Sequence, residues 1–325
     1  MVYKVLVTRR IPDKGLQILE DNNIEYVMHE KNRPMNQAEF EAGIKDVDGV
    51  ITMLCNQVNT DVLKMAPRLK VVSNFAVGTD NVDISACSER KVAVTNTPGV
   101  LTEATADTTF ALILSVARHV VKADKYTREG SFTGWDPLLF VGFELKGKTL
   151  GIIGMGRIGQ AVARRAVGFG MNIVYYNRNP LPDDLADELE ATYLSLDELI
   201  QTADILTLHL PYSDKVHHLI NKERLKMMKH DAYLINAARG AHIDESALVE
   251  HLRSGNIAGA ALDVYEHEPK LTPGLAELDN VVLLPHLGSA TVEARNAMAE
   301  LAAGSICEIF SGKIPENILN PQVFD

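Results

Sequence analysis

Residues 150–165 read LGIIGMGRIGQAVARR. The apolar run 150–153 has the composition of a buried strand. It stops at Gly154-Met155-Gly156-Arg157-Ile158-Gly159, and a helical pattern follows at once. Each glycine of the turn has a physical task. Gly154 permits a tight turn, Gly156 lets the backbone approach a pyrophosphate, and Gly159 lets the helix pack closely on the strand. The helix start then offers unpaired N–H groups and the positive end of its dipole to an anion. A GxGxxG string alone is a weak signal, because glycine-rich turns also occur without a ligand. Here strand, glycine turn, helix and a second strand at 172–176 come in the order a βαβ dinucleotide site requires. Gly154, Gly156, Arg157, Ile158 and Gly159 are therefore the candidate dinucleotide contacts.

On both sides of this unit, short Val- and Ile-rich runs alternate with helical patterns. Strands are expected at 2–7, 24–28, 50–54, 71–75 and 92–95, and again at 149–154, 172–176, 204–210, 232–236, 259–264 and 281–284. Polar residues rarely interrupt them, as in strands buried on both faces of a parallel sheet. Asn36 followed by Glu39 has the spacing of a capping box and opens a helix. One long helix over 102–126 is expected to join two units after the turn Thr97-Pro98-Gly99. Another, over 291–310, should cross back so that the tail 317–325 packs on the first unit. The expected fold is α/β, with two doubly wound parallel-sheet (Rossmann-like) domains and a cleft between them. The first domain is discontinuous, residues 1–99 and 288–325, and residues 100–287 form the dinucleotide-binding domain.

Composition narrows the function. At 325 residues the chain exceeds one ordinary domain. A net charge of −11 argues against a nucleic-acid partner, whose phosphates are met by Lys and Arg, and against an anionic membrane face. No uninterrupted apolar stretch reaches the ~18 residues of a membrane span. The start, MVYKVLVTRR, alternates like a strand and lacks the apolar core of a signal peptide, so a cytoplasmic location is expected. Cys55, Cys87 and Cys307 fit no metal or redox spacing, and the first two, beside apolar runs, read as small buried hydrophobes. HExxH, CxxC and GxSxG are absent, which removes the signatures of metalloproteases, redox dithiols and lipase-type hydrolases.

The end of the second nucleotide strand bears on which dinucleotide is bound. An NAD site usually carries Asp or Glu there to hold the ribose 2′-hydroxyl. This chain has Tyr175-Tyr176-Asn177-Arg178-Asn179. A carboxylate would repel a 2′-phosphate by about 1–4 kcal/mol per unit charge at ~4 Å. It is absent, and Arg178 can grip such a phosphate. NADP(H) is favoured, with Asn177, Arg178 and Asn179 as contacts. NAD(H) stays open, since Asp183 and Asp184 follow and Arg178 also reads as a solvated surface charge.

Hydride chemistry at a ketone needs a proton donor at the carbonyl oxygen and a cation for a neighbouring carboxylate. Histidine suits the first task if a carboxylate favours its charged form. Of ten histidines, His286 lies at the carboxyl end of the strand 281–284, where open α/β sheets place ligands. Glu268 follows the strand 259–264 and Arg239 follows 232–236, so three strand ends supply a base, an acid and a guanidinium to one edge. Each alone also reads as an ordinary loop residue. His217 and His218 read as solvated, His267 as pointing away from its neighbour's side, and His242, close to Arg239, is the strongest competitor.

Asn96-Thr97-Pro98-Gly99-Val100-Leu101, the GxGxxG stretch, Ala238-Arg239-Gly240, Leu262-Asp263-Val264 through Glu268-Pro269, and Pro285-His286-Leu287-Gly288 together resemble the D-isomer-specific 2-hydroxyacid dehydrogenase family over essentially the whole chain. Within it, residues 101–107 and Gly134-Trp135-Asp136-Pro137-Leu138 are most similar to glyoxylate/hydroxypyruvate reductases. The resemblance implies reduction of a small 2-oxo acid to the D-2-hydroxy acid with NAD(P)H. It implies His286 as proton donor, Glu268 as its partner and Arg239 as the carboxylate ligand. Ala76-Val77-Gly78 would offer carboxylate-binding amides and Leu54 would line the pocket. Asp263 and Thr105 would lie at the nicotinamide, Pro211 and Ser213 at the adenosine end, and Gly288 beside the cofactor. Formate dehydrogenases carry Gln where Glu268 stands, which disfavours formate. The apolar segment 134–141 reads as core or, by the resemblance, as a homodimer arm with Trp135 reaching the neighbour's substrate pocket. Alternatives are a D-lactate or bulkier-substrate dehydrogenase of the same chemistry, and a nucleotide-sensing, corepressor-like interaction protein. Phosphoglycerate dehydrogenases, many with an added regulatory domain, fit less well.

Overall fold

The Val- and Ile-rich runs form strands buried on both sides, and the amphipathic patterns between them form the helices that cover those strands. The computed structural model describes residues 2–325. Its contacts divide the chain into two compact units, one of residues up to Leu101 together with Ala290–Asp325, the other Thr102–Ser289. Both borders fall two residues beyond the positions 99 and 287 expected from the sequence.

The first unit holds β1 (Lys4–Val7), α1 (Asp13–Asp21), β2 (Glu25–Met28), α2 (Gln37–Gly43), β3 (Gly49–Thr52), α3 (Thr60–Met65), β4 (Val71–Asn74), α4 (Ile84–Glu89) and β5 (Ala93–Thr95). Its parallel sheet runs β2-β1-β3-β4-β5. All residues of β3 and β4 are buried, whereas the edge strand β2 alternates exposed and half-buried positions. Phe40, Ile44, Val62, Leu63 and Cys87 pack with Val50, Val72 and Val94 in one apolar cluster. The expected capping box is present at Asn36 and Glu39. Cys55 departs from expectation: it is exposed, because β3 ends at Thr52 and Cys55 lies in the turn beyond it.

The second unit holds α5 (Thr102–Ala117), α6 (Val120–Arg128), β6 (Thr149–Ile153), α7 (Arg157–Gly168), β7 (Asn172–Tyr176), α8 (Asp183–Glu188), β8 (Ala191–Tyr193), α9 (Leu196–Thr202), β9 (Ile205–Leu208), α10 (Lys222–Met227), β10 (Tyr233–Asn236), α11 (Glu245–Arg253), β11 (Gly259–Leu262) and β12 (Val281–Leu283). Its parallel sheet runs β12-β11-β10-β9-β6-β7-β8. The order reverses between β6 and β9, and a doubly wound sheet binds ligands in the crevice beyond its strand ends at such a point. Phe110, Ile113, Val162 and Ala166 pack in one apolar layer, and Leu199, Leu225, Leu248 and Leu252 in a second.

Two elements differ from the sequence reading. The single helix over 102–126 is two helices, broken where His119 takes a left-handed φ of +53°. The strand β8 was not expected, since it is a short edge strand with no buried residue and so lacks an apolar run. No helix among the described residues is long and apolar enough to cross a membrane.

The closing helix α12 (Val292–Phe310), capped by Thr291, returns to the first sheet, where Ser73 Oγ donates to the Ala302 carbonyl at 3.0 Å. Beyond it the tail is fastened by buried amides. Asn317 Nδ2 donates to Asn96 O at 2.6 Å. The fully buried Asn320 accepts from Val94 N–H at 2.8 Å and donates to Val92 O at 2.9 Å and Ser88 Oγ at 3.0 Å. Asn320→Ala removes these bonds and leaves buried backbone groups of β5 and its approach unpaired. The expected loss is about 2–4 kcal/mol, read as a lower urea midpoint for the unit that holds both chain ends. An unchanged midpoint would show that water replaces the amide without cost.

Candidate active site

The nucleotide turn begins where β6 ends. Gly154 has φ +98°, and a Cβ there would lie 2.6 Å from the His209 carbonyl atoms at the end of β9. A Cβ on Gly159 would overlap the Gly154 carbonyl oxygen, so helix α7 and the turn pack backbone to backbone. A Cβ on Gly156 would meet no protein atom within 4 Å, and Gly156 and Arg157 are exposed at the helix start. This cradle fits a dinucleotide's phosphates, which need close approach to N–H groups at a helix N-terminus. Asn177 Oδ1 accepts from Met155 N–H at 2.8 Å and so ties the end of β7 to the same turn. Arg178 and Asn179 are exposed, and no acid among the described residues pairs with Arg178.

Next along the sheet edge stand the loops after β10, β11 and β12. The β10 loop is shaped by Asn236, whose Oδ1 accepts from Ala238 N–H and whose Nδ2 donates to Arg239 O. After β11, the fully buried Asp263 reaches the β12 loop. Its two carboxylate oxygens accept from Leu287 N–H at 2.6 Å and Gly288 N–H at 2.7 Å, and its carbonyl accepts from His286 N–H at 2.9 Å. His286 is thereby held at φ +58°, a left-handed conformation that is uncommon for a residue with a Cβ. Its Nδ1 lies 3.0 Å from Glu268 Oε2, while Glu268 Oε1 accepts from Tyr265 N–H at 3.1 Å. Burial of the Glu268 carboxyl alone would raise its pKa. The hydrogen bond and charge of His286, the Tyr265 N–H and the charge of Arg239 outweigh that and hold it below the usual carboxylate value. The buried Thr105 and Gly288 are close, a Cβ on Gly288 lying 3.6 Å from Thr105 Oγ1 and 3.4 Å from Asp263 Oδ2.

In the other unit, Ala76-Val77-Gly78 follows β4, and Leu54, half-buried, follows β3. The carbonyls of Ala76, Val77 and Gly78 accept from Thr97 N–H, Asn96 Nδ2 and Asn74 Nδ2. The N–H groups of Val77 and Gly78 have no acceptor among the described residues. Backbone N–H groups without a protein acceptor are donors that a carboxylate can use.

Residues 110–288 match the family model described as D-isomer specific 2-hydroxyacid dehydrogenase, NAD binding domain. The chain belongs to the D-isomer specific 2-hydroxyacid dehydrogenase family. This dehydrogenase is 47% identical to a glyoxylate reductase of Pyrococcus furiosus, covering 99% of this chain and 97% of the relative. It is 45% identical to a glyoxylate reductase of Thermococcus litoralis, covering 99% and 98%. Among solved structures, it is similar to an NADPH-dependent glyoxylate/hydroxypyruvate reductase of Sinorhizobium meliloti in complex with NADP and malonate. The TM-score is 0.88 at 35% identity, covering 100% of this chain and 98% of that one. The dehydrogenase is an NAD(P)-dependent oxidoreductase.

Its other histidines behave differently from His286. His242 is fully buried, with Nε2 3.0 Å from the Leu210 carbonyl. His267 is exposed. His218 is not simply solvated: it is half-buried, with Nε2 2.7 Å from Glu266 Oε1. Pro211 and Ser213 are exposed after β9. Trp135 and Leu138 are 85% and 81% exposed, and Val141 is also exposed, so the segment 134–141 is not core of the single chain.

Three supports escaped sequence reasoning. His209 follows β9, its Nε2 2.9 Å from Thr207 Oγ1, and burial pushes its pKa down to about 3, so it stands neutral beside Gly154. The Tyr265 hydroxyl donates to Leu284 O at 2.8 Å and braces two strand ends. Glu245, 1% exposed, accepts from Glu266 N–H at 2.8 Å and Thr272 Oγ1–H at 2.6 Å. The only signal for Glu245 was an acid in the first turn of a helix, which ordinarily reads as a dipole partner.

The Glu268–His286 pair makes stability depend on pH. Because the folded carboxyl is held below its ordinary 4.5, the pair contributes fully above that value and is lost as pH falls through the lower folded value. The stability difference between the wild type and Glu268→Gln, measured by urea unfolding, is expected to shrink as pH drops below about 4.5. A difference that grew on acidification would contradict the depressed pKa.

Proposed function

We propose that this dehydrogenase reduces glyoxylate or hydroxypyruvate to the corresponding 2-hydroxy acid, of D configuration where a stereocentre forms, with NADP(H) preferred and NAD(H) usable. The observation that carries the reading is the His286–Glu268 contact of 3.0 Å beside Asp263 and Thr105. A bound dinucleotide would supply the hydride. The Gly154–Gly159 turn with Arg157 and Ile158 would hold its pyrophosphate. Asn177, Arg178 and Asn179, with Pro211 and Ser213, would hold its adenosine end, and Asp263, Thr105 and Gly288 the nicotinamide.

In this reading His286 gives a proton to the carbonyl oxygen, and Glu268, 3.0 Å from its Nδ1, orients the ring. The Arg239 guanidinium engages the substrate carboxylate and polarises the carbonyl, a task its planar fork performs well. In the first unit, the Val77 and Gly78 amides, with Ala76, bind carboxylate oxygen, and Leu54 limits the bulk of the side chain accepted. The NADP(H) preference rests on Arg178 and on the carboxamide at Asn177, which puts no negative charge against a 2′-phosphate.

Oxidation of NADPH and of NADH should be followed on adding glyoxylate, hydroxypyruvate, pyruvate and phenylpyruvate. The highest kcat/KM is expected for one of the first two with NADPH. His286→Asn should lose about a thousandfold in kcat while still binding the dinucleotide. Turnover of pyruvate above both glyoxylate and hydroxypyruvate would move the assignment to a D-lactate dehydrogenase. No turnover with any of the four, or a near-normal His286→Asn rate, would remove the reading.

The exposed Trp135, Leu138 and Val141 also support a homodimer, since a single chain seldom leaves so contiguous an apolar segment in water. Sedimentation equilibrium should give twice the chain mass, and Leu138→Asp with Val141→Asp should halve it. A wild-type monomer at micromolar concentration would end the proposal.

A further inference from the structure

Among the described residues, one group of side chains outside the candidate active site offers three metal-binding atoms together. His217, His218 and Glu266 each present one donor atom, and the three lie within 4.8 Å of one another. We propose that they form a site for one divalent transition metal ion of the zinc class.

The backbone explains how two neighbouring histidines face the same way. Successive side chains of an extended segment point to opposite sides. His218 instead has φ +47°, and this left-handed bend brings its ring onto that of His217, with centroids 4.0 Å apart and planes 20° from parallel. The bend is fixed from outside the segment, because His218 N–H donates to Ala241 O at 2.8 Å and Ile220 N–H to His242 O at 2.9 Å. Glu266 is fixed as well, its N–H donating to the buried Glu245 carboxylate at 2.8 Å. The donors are thus held by separate parts of the fold and not by each other alone.

Their chemistry selects the ion. Two imidazoles and a carboxylate suit zinc, cobalt and nickel, whereas magnesium and calcium take oxygen ligands almost throughout. Zinc bonds of about 2.0–2.2 Å in a tetrahedron set donors roughly 3.3 Å apart. The His218 Nε2 to Glu266 Oε1 contact, now 2.7 Å, has to open slightly, and no separation has to close by more than about 1.5 Å. His217 is exposed and its ring can make that movement. The Tyr212 hydroxyl lies 3.2 Å from His217 Nδ1, the kind of partner that orients a metal-bound imidazole through its other nitrogen. Water completes the coordination on the open side. The ion would clip the segment of Pro211 and Ser213 to Glu266, two residues before Glu268.

The test is calorimetric titration of the chelator-treated intact protein with zinc chloride, alongside the visible spectrum with cobalt(II). One ion per chain is expected, with a cobalt spectrum of nitrogen and oxygen donors and no thiolate charge-transfer band. His217→Ala, an exposed change that leaves the thermal midpoint and the basal oxidoreductase rate unaltered, should weaken zinc binding at least tenfold. Glu266→Gln should do the same, and Cys55→Ser, which removes the exposed thiol, should change nothing. Absence of stoichiometric binding overturns the proposal. So does binding that survives His217→Ala or that is lost in Cys55→Ser.

Discussion

A buried carboxylate joins the ends of two neighbouring strands in this dehydrogenase, and the geometry of the candidate site depends on it. Asp263, with no exposed surface, takes the N–H groups of Leu287 and Gly288 on its two oxygens, and its carbonyl takes that of His286. Charge-assisted bonds to backbone donors are short and directional. They over-determine a loop in which His286 must adopt a left-handed backbone, a conformation that persists only where its surroundings impose it. Burial pushes the Asp263 pKa up, yet both oxygens are matched by donors, so the group is held and not merely enclosed.

Parallel strands make this economy of loops possible. In a doubly wound sheet every strand ends on the same edge, so loops distant in sequence meet there. Asn236 shapes the loop of Arg239, Tyr265 offers N–H to Glu268 and a hydroxyl to Leu284, and Asp263 closes the row. Gly154 and Gly159 serve the same edge at the reversal between β6 and β9 by letting main chains touch. Side-chain chemistry and backbone contact therefore act on one edge, the first setting charge and the second setting distance.

Behind that row runs a second line of fixed groups. Glu245, buried, holds Glu266 through its N–H, and Glu266 meets His218. Burial raises the Glu245 pKa, opposed by the Thr272 hydroxyl and the Glu266 N–H. An acid so placed costs stability unless its oxygens are satisfied, and here both have donors. The segment between Tyr265 and Glu268 is accordingly anchored on two sides, which limits how far Glu268 can move from His286.

The amino-acid sequence alone determined much of this molecule, for reasons local to the chain. Runs such as 150–153 and 259–262 carry no polar residue, and only a strand covered on both faces satisfies them. Gly154, Gly156 and Gly159 declare a backbone that must come close to something, and Asn36 with Glu39 declares a helix start. Strand ends were likewise legible at 236, 264 and 284, within two residues of the observed 236, 262 and 283, so Arg239, Glu268 and His286 could be named as candidates beforehand. What only the tertiary structure decided was pairing across sequence distance. Nothing near Asp263 announces that its carboxylate grips Leu287 and Gly288, nothing near Cys55 that β3 has already ended, and nothing near His119 that the helix breaks there. Periodicity reports what each residue needs from its surroundings. Which partner meets the need is set by how the strands are ordered in the sheet, and that order is a property of the packed chain.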